Sequence, residues 1–512
     1  MTAALSRPNL DVAHRGWLTV AIMLATIMQV LDTTIANVAL PHMTASLGAS
    51  QEEITWVLTS YIVASAIATP LTGWLVDRLG ARLLFLIAIA GFTGSSLLCG
   101  IATGLEEMVL FRVMQGLFGA VLSPLAQSTI LDINPRERMG QAMAVYGAGI
   151  MLGPIVGPTL GGWLTEDFGW RYVFLVNLPI GIMALLGVAA FMPKTPTRTR
   201  RFDFFGFAML GLAIGALQLM LDRGQAVGWL GSPETWIYIG LSISGLWVFI
   251  VHCLTADEPF IDLRMFADRN FSMGLLFIFV IGLTLFSGLA LLPPLLQNLL
   301  GYPVITTGIA MAPRGIGTML SMIVVGRLMG KVDPRLLVTF GMGLTIAAFW
   351  MMTGYDTMMD VWPIVWSGVM QGFGLGFVFV PFSTLTFATL SARYRSDGTS
   401  MFALVRNVGS GLGISIVTSV LARMIATNHE ELASRLGADS QAVHQLVPGL
   451  LQGNLTVAAQ VDGLVTQQAA MIAYVDNFLL MLIFTACALP IVFLLRVNTG
   501  KAAAPALPPS EH

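Results

Sequence analysis

Asp32 stands inside an apolar run from Trp17 to Leu40, in the stretch Leu31-Asp32-Thr33-Thr34-Ile35-Ala36-Asn37. As a helix this run is long enough to cross a bilayer, and at about 1.5 Å per residue Asp32 lies about 12 Å from Leu40, well below the lipid surface. An acid there costs roughly 2.5–3.5 kcal/mol on insertion scales, so a functional role is its default reading. The chemistry open to it is proton exchange: burial disfavours the charged carboxylate, a nearby cation favours it, and a change in either moves a proton on or off. Arg112 is the candidate cation. It falls just inside the outer end of the fourth apolar run, followed at helical spacing by Gln115, Gly116 and Gly119. The first run passes outward and the fourth inward, which puts Arg112 and Asp32 at compatible depth. A permanent pair that only fastens two helices is the competing reading.

Two further cations, Arg314 and Arg406, fall within apolar runs and join Gln29 and Gln115 as candidates for a substrate pocket. Arg406 starts only about six residues inside its run, within snorkelling distance of the cytoplasmic surface. Arg314 follows Pro313, whose missing donor frees carbonyls for it to bond. The 29 methionines and 29 phenylalanines suit a pliable apolar pocket as well as ordinary helix packing. Cys99, Cys253 and Cys487 stand alone in separate runs, with no zinc or disulfide spacing. No G-x-x-x-x-G-K-[ST] sequence encodes an ATPase. Neither metal nor cofactor is expected, and no enzymatic activity; energy comes from a gradient or a separate subunit.

The elements that position these residues are membrane spans. Of 512 residues, 56% are hydrophobic and 11% charged, with a net charge of −2; a soluble domain carries roughly 25% charged residues. Fourteen apolar runs of span length can be placed, among them 54–76, 204–222, 235–254, 401–424 and 475–496. With the N-terminus inside, most of the 26 Lys and Arg residues, including Arg7, Arg78, Arg82, Arg136, Arg200, Arg335, Arg496 and Lys501, face the cytoplasm. Arg171, Arg223, Arg423 and Arg435 fall outside. Both termini are therefore expected in the cytoplasm, with the first span directing insertion and no removable signal peptide.

Val113-Met114-Gln115-Gly116 recurs as Val369-Met370-Gln371-Gly372, and each copy is followed by a proline, Pro124 or Pro381. The repeat predicts an all-α integral membrane protein of two six-helix halves, 1–192 and 271–512, separated by 193–270, which carries two additional central spans. A long exterior segment at about 425–474 has stretches suited to helices, His429 to Leu436 and Gln460 to Gln468. Parallel repeats with a site between them suggest alternating access.

Three motifs sharpen this. The turn Gly73-Trp74-Leu75-Val76-Asp77-Arg78-Leu79-Gly80-Ala81-Arg82 resembles the G-x-x-x-D-R-x-G-x-R signature of the major facilitator superfamily, where it bridges spans at the cytoplasmic gate. Its echo around Asp333 is degraded. Gly149, Gly153, Gly157 and Gly161 leave one helix face bare for close approach of another backbone. With Pro154, Pro158 and Gly162, the last three of them resemble the antiporter motif G-x-x-x-G-P-x-x-G-G. Arg112-x-x-Gln115-Gly116, the Asp32 stretch through Pro41, Trp170-Arg171-Tyr172-Val173-Phe174 and Asn177 resemble the fourteen-span drug:proton antiporter branch, the EmrB/QacA type.

That resemblance implies a major facilitator fold of fourteen helices in the cell inner membrane, exporting amphipathic or lipophilic compounds in exchange for protons. It gives Asp32 and Arg112 the proton coupling and Gly73, Asp77, Arg78, Gly80 and Arg82 the cytoplasmic gate. Its implied partners are small lipophilic substrates, protons, the lipid bilayer, and a periplasmic membrane-fusion adaptor with an outer-membrane channel, without nucleic acid. A dedicated metabolite exporter, or a non-transporting receptor or scaffold on the same fold, are the alternatives, and flux in proteoliposomes separates the last from the others.

Overall fold

The structure, a computed structural model, describes residues 14–50, 53–135, 138–199, 201–224, 227–436 and 455–495. Arg7, Arg136, Arg200, Arg496 and Lys501, both chain termini and the middle of the exterior segment, 437–454, lie outside the described residues.

The described elements are helical apart from one isolated bridge between Met329 and Val332. In chain order they are α1 (Arg15–Leu47), α2 (Trp56–Ala68), α3 (Leu71–Leu79), α4 (Ala81–Ile101), α5 (Leu105–Gly119), α6 (Leu122–Ile133), α7 (Met139–Ile150), α8 (Leu152–Asp167), α9 (Tyr172–Leu175), α10 (Asn177–Phe191), α11 (Phe204–Arg223), α12 (Pro233–Thr255), α13 (Arg269–Pro294), α14 (Val304–Leu328), α15 (Pro334–Met352), α16 (Trp362–Ala388), α17 (Arg395–Ser434) and α18 (Leu455–Leu494). Among the described residues, thirteen spans are long and apolar enough to cross a membrane, or fourteen when α2 and α3 count as one. The expected span 54–76 is a bent one: it turns by 60° between Ala68 and Leu71, where Pro70 precedes α3 and cannot donate to the preceding turn.

Caps fix where several spans begin. The carboxylates of Asp203, Asp268 and Asp333 accept from the backbone N–H groups of Gly206 (2.8 Å), Phe271 (2.9 Å) and Arg335 (2.9 Å), starting α11, α13 and α15. Asp333, in the degraded echo of the Gly73–Arg82 motif, is thereby a helix cap.

The first half packs α1 against α8 and α10, α5 against α2 and α4, and α4 against α10; the second packs α13 on α17, α16 on α14 and α15, and α18 on α15 and α17. The halves meet where α7 and α8 run along α14 and where α3 and α6 touch α17. Of the two additional helices, α11 rests on α2 and also reaches α17, while α12 packs on α11. At the C-terminal end of α11, Asp222 accepts a hydrogen bond from Thr59 of α2, and the Leu221 carbonyl accepts one from Ser415 of α17 (2.5 Å).

The runs expected at 401–424 and 475–496 are parts of much longer helices. At about 1.5 Å per residue, the 40-residue α17 and α18 each extend about 60 Å, twice the hydrocarbon thickness. The helices anticipated at His429–Leu436 and Gln460–Gln468 are their continuations, except that Arg435 and Leu436 lie just past the end of α17. The two continuations are joined by His429 Nε2 to Asp462 Oδ1 (3.0 Å) and Asn428 Nδ2 to the Ala469 carbonyl (3.4 Å).

Candidate functional site

Asp32 sits near the middle of α1, roughly 25 Å along the axis from Arg15 and roughly 22 Å from Leu47. Its side chain is fully buried, as are those of Arg112, Gln115, Asn177 and Ser96. Arg112 Nη1 donates to Asp32 Oδ2 at 2.6 Å. Asp32 Oδ1 accepts from Gln115 Nε2 at 2.8 Å and from Asn177 Nδ2 at 2.7 Å. Arg112 and Gln115, one turn apart on α5, face the same way, and Arg112 Nη1 also donates to Gln115 Oε1 at 2.6 Å. Arg112 Nε donates to the Val57 carbonyl of α2 (2.9 Å), and the guanidinium carbon lies 4.4 Å from the centre of the Tyr61 ring. Asn177 begins α10 and also donates to Ser96 Oγ on α4 (2.9 Å), which donates to the Phe174 carbonyl (2.9 Å).

All three hydrogen bonds into the carboxylate come from donors, so this cage fits an ionised Asp32. Oδ1 accepts two of these bonds and Oδ2 one, which leaves Oδ2 with one acceptor position still open. The guanidinium, by contrast, has acceptors besides Asp32 in the Val57 carbonyl and Gln115 Oε1. Its Nη2 is buried without a partner.

The glycine face positions the helix that carries Asp32. A Cβ on Gly153 would come within 2.8 Å of Val30 Cγ1, one on Gly157 would collide with Thr34 Oγ1, and one on Gly161 would come within 2.9 Å of Ile35 Cγ2. The other side of α8 meets the second half: Ile155 occupies the space beside Gly315 of α14, and Thr159 lies opposite Gly308. Pro154 lies in the first turn of α8, and Pro158 and Gly162 lie within the helix. One helix thus contacts both the segment bearing Asp32 and the facing half.

The gate motif is helical where a turn was expected. Gly73, Asp77 and Arg78 belong to α3, which is amphipathic enough to continue until Gly80 stops it at φ 81°, a conformation only glycine adopts easily. The Asp77 carbonyl accepts from the Arg198 backbone N–H (2.6 Å), and Arg82 Nη2 donates to the Ala189 carbonyl (2.6 Å). Gly73 lies directly under the Asp397 carboxylate of α17, where a Cβ would collide. Close by in sequence, Arg395 Nη1 pairs with Asp132 Oδ1 of α6 at 2.8 Å, with both side chains largely buried. The two halves are therefore tied near the N-terminal end of α17 by an ion pair absent from the motif.

The four pocket candidates do not gather. Gln115 belongs to the Asp32 cage. Gln29 is half-buried beside the Tyr61 hydroxyl, with its Oε1 unpartnered. Arg314 is buried where α14 packs on α16, its backbone carbonyl against Gly372. Arg406 lies roughly 16 Å along α17 from its start at Arg395, half-buried and with its Nε unpartnered. Ser96, Tyr61 and the Val57 carbonyl were not anticipated; of these only Ser96 left a trace in the sequence, as a polar residue in an apolar run. Among the described residues no three His, Cys, Asp or Glu side chains converge as metal ligands would.

The sequence signature of the Major Facilitator Superfamily matches residues 22–414. The chain is 35% identical over 467 residues to "Multidrug export protein EmrB" of Escherichia coli (strain K12), a match spanning 90% of this chain and 91% of that one. It is 35% identical over 496 residues to "Fatty acid resistance protein FarB" of Neisseria gonorrhoeae, spanning 96% and 97%. In fold it is similar to the human organic anion transporter MFSD10 (TETRAN), with a TM-score of 0.59 at 17% identity over 93% of this chain and 100% of that one.

Proposed function

The chain belongs to the Major Facilitator Superfamily, and from that premise we propose that it exports amphipathic or lipophilic compounds in exchange for inward protons, by alternating access. The observation that carries the reading is Asp32: a carboxylate deep in a membrane span, fully buried and held only by donors from α5 and α10. Releasing one donor lowers the preference for the ionised form, so a helix movement that opens the cage loads a proton, and closing the cage expels it. The α8 helix, seated by its glycines on α1 and by Ile155 on α14, links that movement to the separation of the halves. Asp77 and Arg78 act with Asp397, Arg395 and Asp132 to hold the cytoplasmic ends together while substrate leaves on the other side.

Residues 1–192 and 271–512 form the two halves and 193–270 the inserted pair, in a cell inner membrane with both termini in the cytoplasm. The relatives' names for multidrug export and fatty acid resistance favour lipophilic cargo. The outward continuations of α17 and α18 are the docking point for a periplasmic adaptor leading to an outer-membrane channel. Purified protein in proteoliposomes with an internal pH indicator tests the exchange: addition of a lipophilic substrate releases protons in proportion to substrate moved. A protein that binds without flux is a receptor or scaffold instead.

A further inference from the structure

We propose that Arg406 is the head-group site for an anionic amphiphile where the two halves meet, so that the preferred cargo carries a carboxylate, sulfonate or phenolate on an apolar body. The assignment rests on the transport reading above and narrows it to a charge class.

Arg406 belongs to the second half, and its backbone carbonyl lies close against Gly282 of α13. Arg406 is also within electrostatic reach of Tyr146 on α7, in the first half. The Tyr146 hydroxyl is hydrogen-bonded with Thr26 of α1 and donates to the Ser123 carbonyl of α6 at 3.4 Å. Thr26 is roughly 16 Å from the start of α1 and Tyr146 roughly 10 Å from the start of α7, so both lie well inside their helices, as Arg406 does in α17. Three helices of one half and one of the other converge there.

The charge at that convergence is unbalanced. Among the described residues the Arg406 side chain makes no hydrogen bond or ion pair, and its Nε is buried without a partner. The deep acid of the first half, Asp32, is committed to Arg112, Gln115 and Asn177. A half-buried guanidinium in this condition is stabilised by any anion that reaches it, and repels a cation. The neighbouring wall is apolar and deformable: Met322 of α14 and Phe379 of α16 lie against Gly147, next to Tyr146. Methionine there accommodates tails of varied shape. Head-group charge is thus selected by Arg406, and tail shape is selected weakly.

The test uses three fluorescent amphiphiles with one pyrenylbutyl body and a carboxylate, a trimethylammonium or a hydroxyl head. Each is presented to the full chain in proteoliposomes energised by a pH gradient. The wild type should move the carboxylate at least about tenfold faster than the ammonium. Arg406→Lys should keep that preference, Arg406→Gln should bring the ratio close to one, and Arg406→Glu should invert it, each in protein that remains monodisperse. If Arg406→Gln fails to fold, the wild-type ratio and the Arg406→Lys variant decide. A wild type that moves the ammonium as fast as the carboxylate, or a folded Arg406→Gln that keeps the native ratio, overturns the assignment alone. Absence of gradient-driven flux for all three overturns the transport reading and this assignment with it.

Discussion

Replacing Asp32 by Asn keeps the shape of the side chain and removes its charge, while every group around it remains a donor. The new amide nitrogen has to face either Arg112 Nη1 or the amides of Gln115 and Asn177, which now sit 2.6–2.8 Å from the carboxylate oxygens. Arg112 keeps the Val57 carbonyl and Gln115 Oε1 but loses its counter-charge in a fully buried site. Breaking a buried pair from one side costs about 3–5 kcal/mol, mostly through the charge left behind. Asp32→Asn is therefore expected to fold with reduced resistance to denaturant and to lose proton-driven export altogether. The double variant Asp32→Asn/Arg112→Gln removes the orphaned cation and should recover much of that stability without recovering export. Unfolding in detergent and proton release in proteoliposomes are measured on the same preparations. An Asn variant that still releases a proton on substrate addition and pumps at the native rate refutes the coupling role; a double variant that regains export reduces the pair to a fastener.

The ion pair between Asp132 and Arg395 is mostly shielded from water, and a hydrogen bond between charged groups of this kind contributes about 1.5–3 kcal/mol. Asp132→Asn or Arg395→Gln should accordingly enlarge the open population in double-label distance measurements across the cytoplasmic mouth, as should Asp77→Asn to a smaller degree; an unchanged distribution counts against the gate. Gly157→Ala places a methyl against Thr34 Oγ1 and should slow export by displacing α1, with overpacking costs of about 1–3 kcal/mol. Adding Thr34→Ala should restore part of the rate, and failure of both effects would separate the glycine face from coupling. Deleting 430–470 should abolish copurification with a periplasmic adaptor and lower cellular resistance at equal expression, whereas unchanged copurification and resistance would show that the exterior helices do not dock it.

The membrane spans were legible because each is a long apolar run and the cations between them sort by side. Asp32 and Arg112 were legible because an ionised residue in such a run stands out, and because span direction alone set them at one depth. The remaining cage members were harder to see. Tyr61 is an ordinary residue of an apolar helix until Arg112 lies over its ring, and the Val57 carbonyl carries no side-chain signal. Asp132 and Arg395 read as unrelated charges near separate helix ends, since only the tertiary packing of α6 on α17 makes them neighbours. The bend after Ala68 was concealed by uninterrupted hydropathy, and the full length of α17 and α18 by polar residues that lower hydropathy without breaking a helix. The repeat also predicts less symmetry than it suggests. Gln371 matches Gln115, but Gly368 stands where Arg112 would be, so the second half keeps the amide without the charge.

Arg112 is anchored by the Val57 carbonyl and Gln115 as well as by Asp32, so its positive charge stays in place when the carboxylate takes a proton. The proton-loaded first half then carries one more elementary charge than the proton-free form. Every step that shifts this region relative to the membrane normal becomes sensitive to voltage, up to about 2.3 kcal/mol for a full charge moved through 100 mV. Inside-negative potential would therefore speed the inward delivery of the proton even when the two aqueous phases have equal pH. A cell that has lost its pH gradient but keeps its potential would still have a working pump.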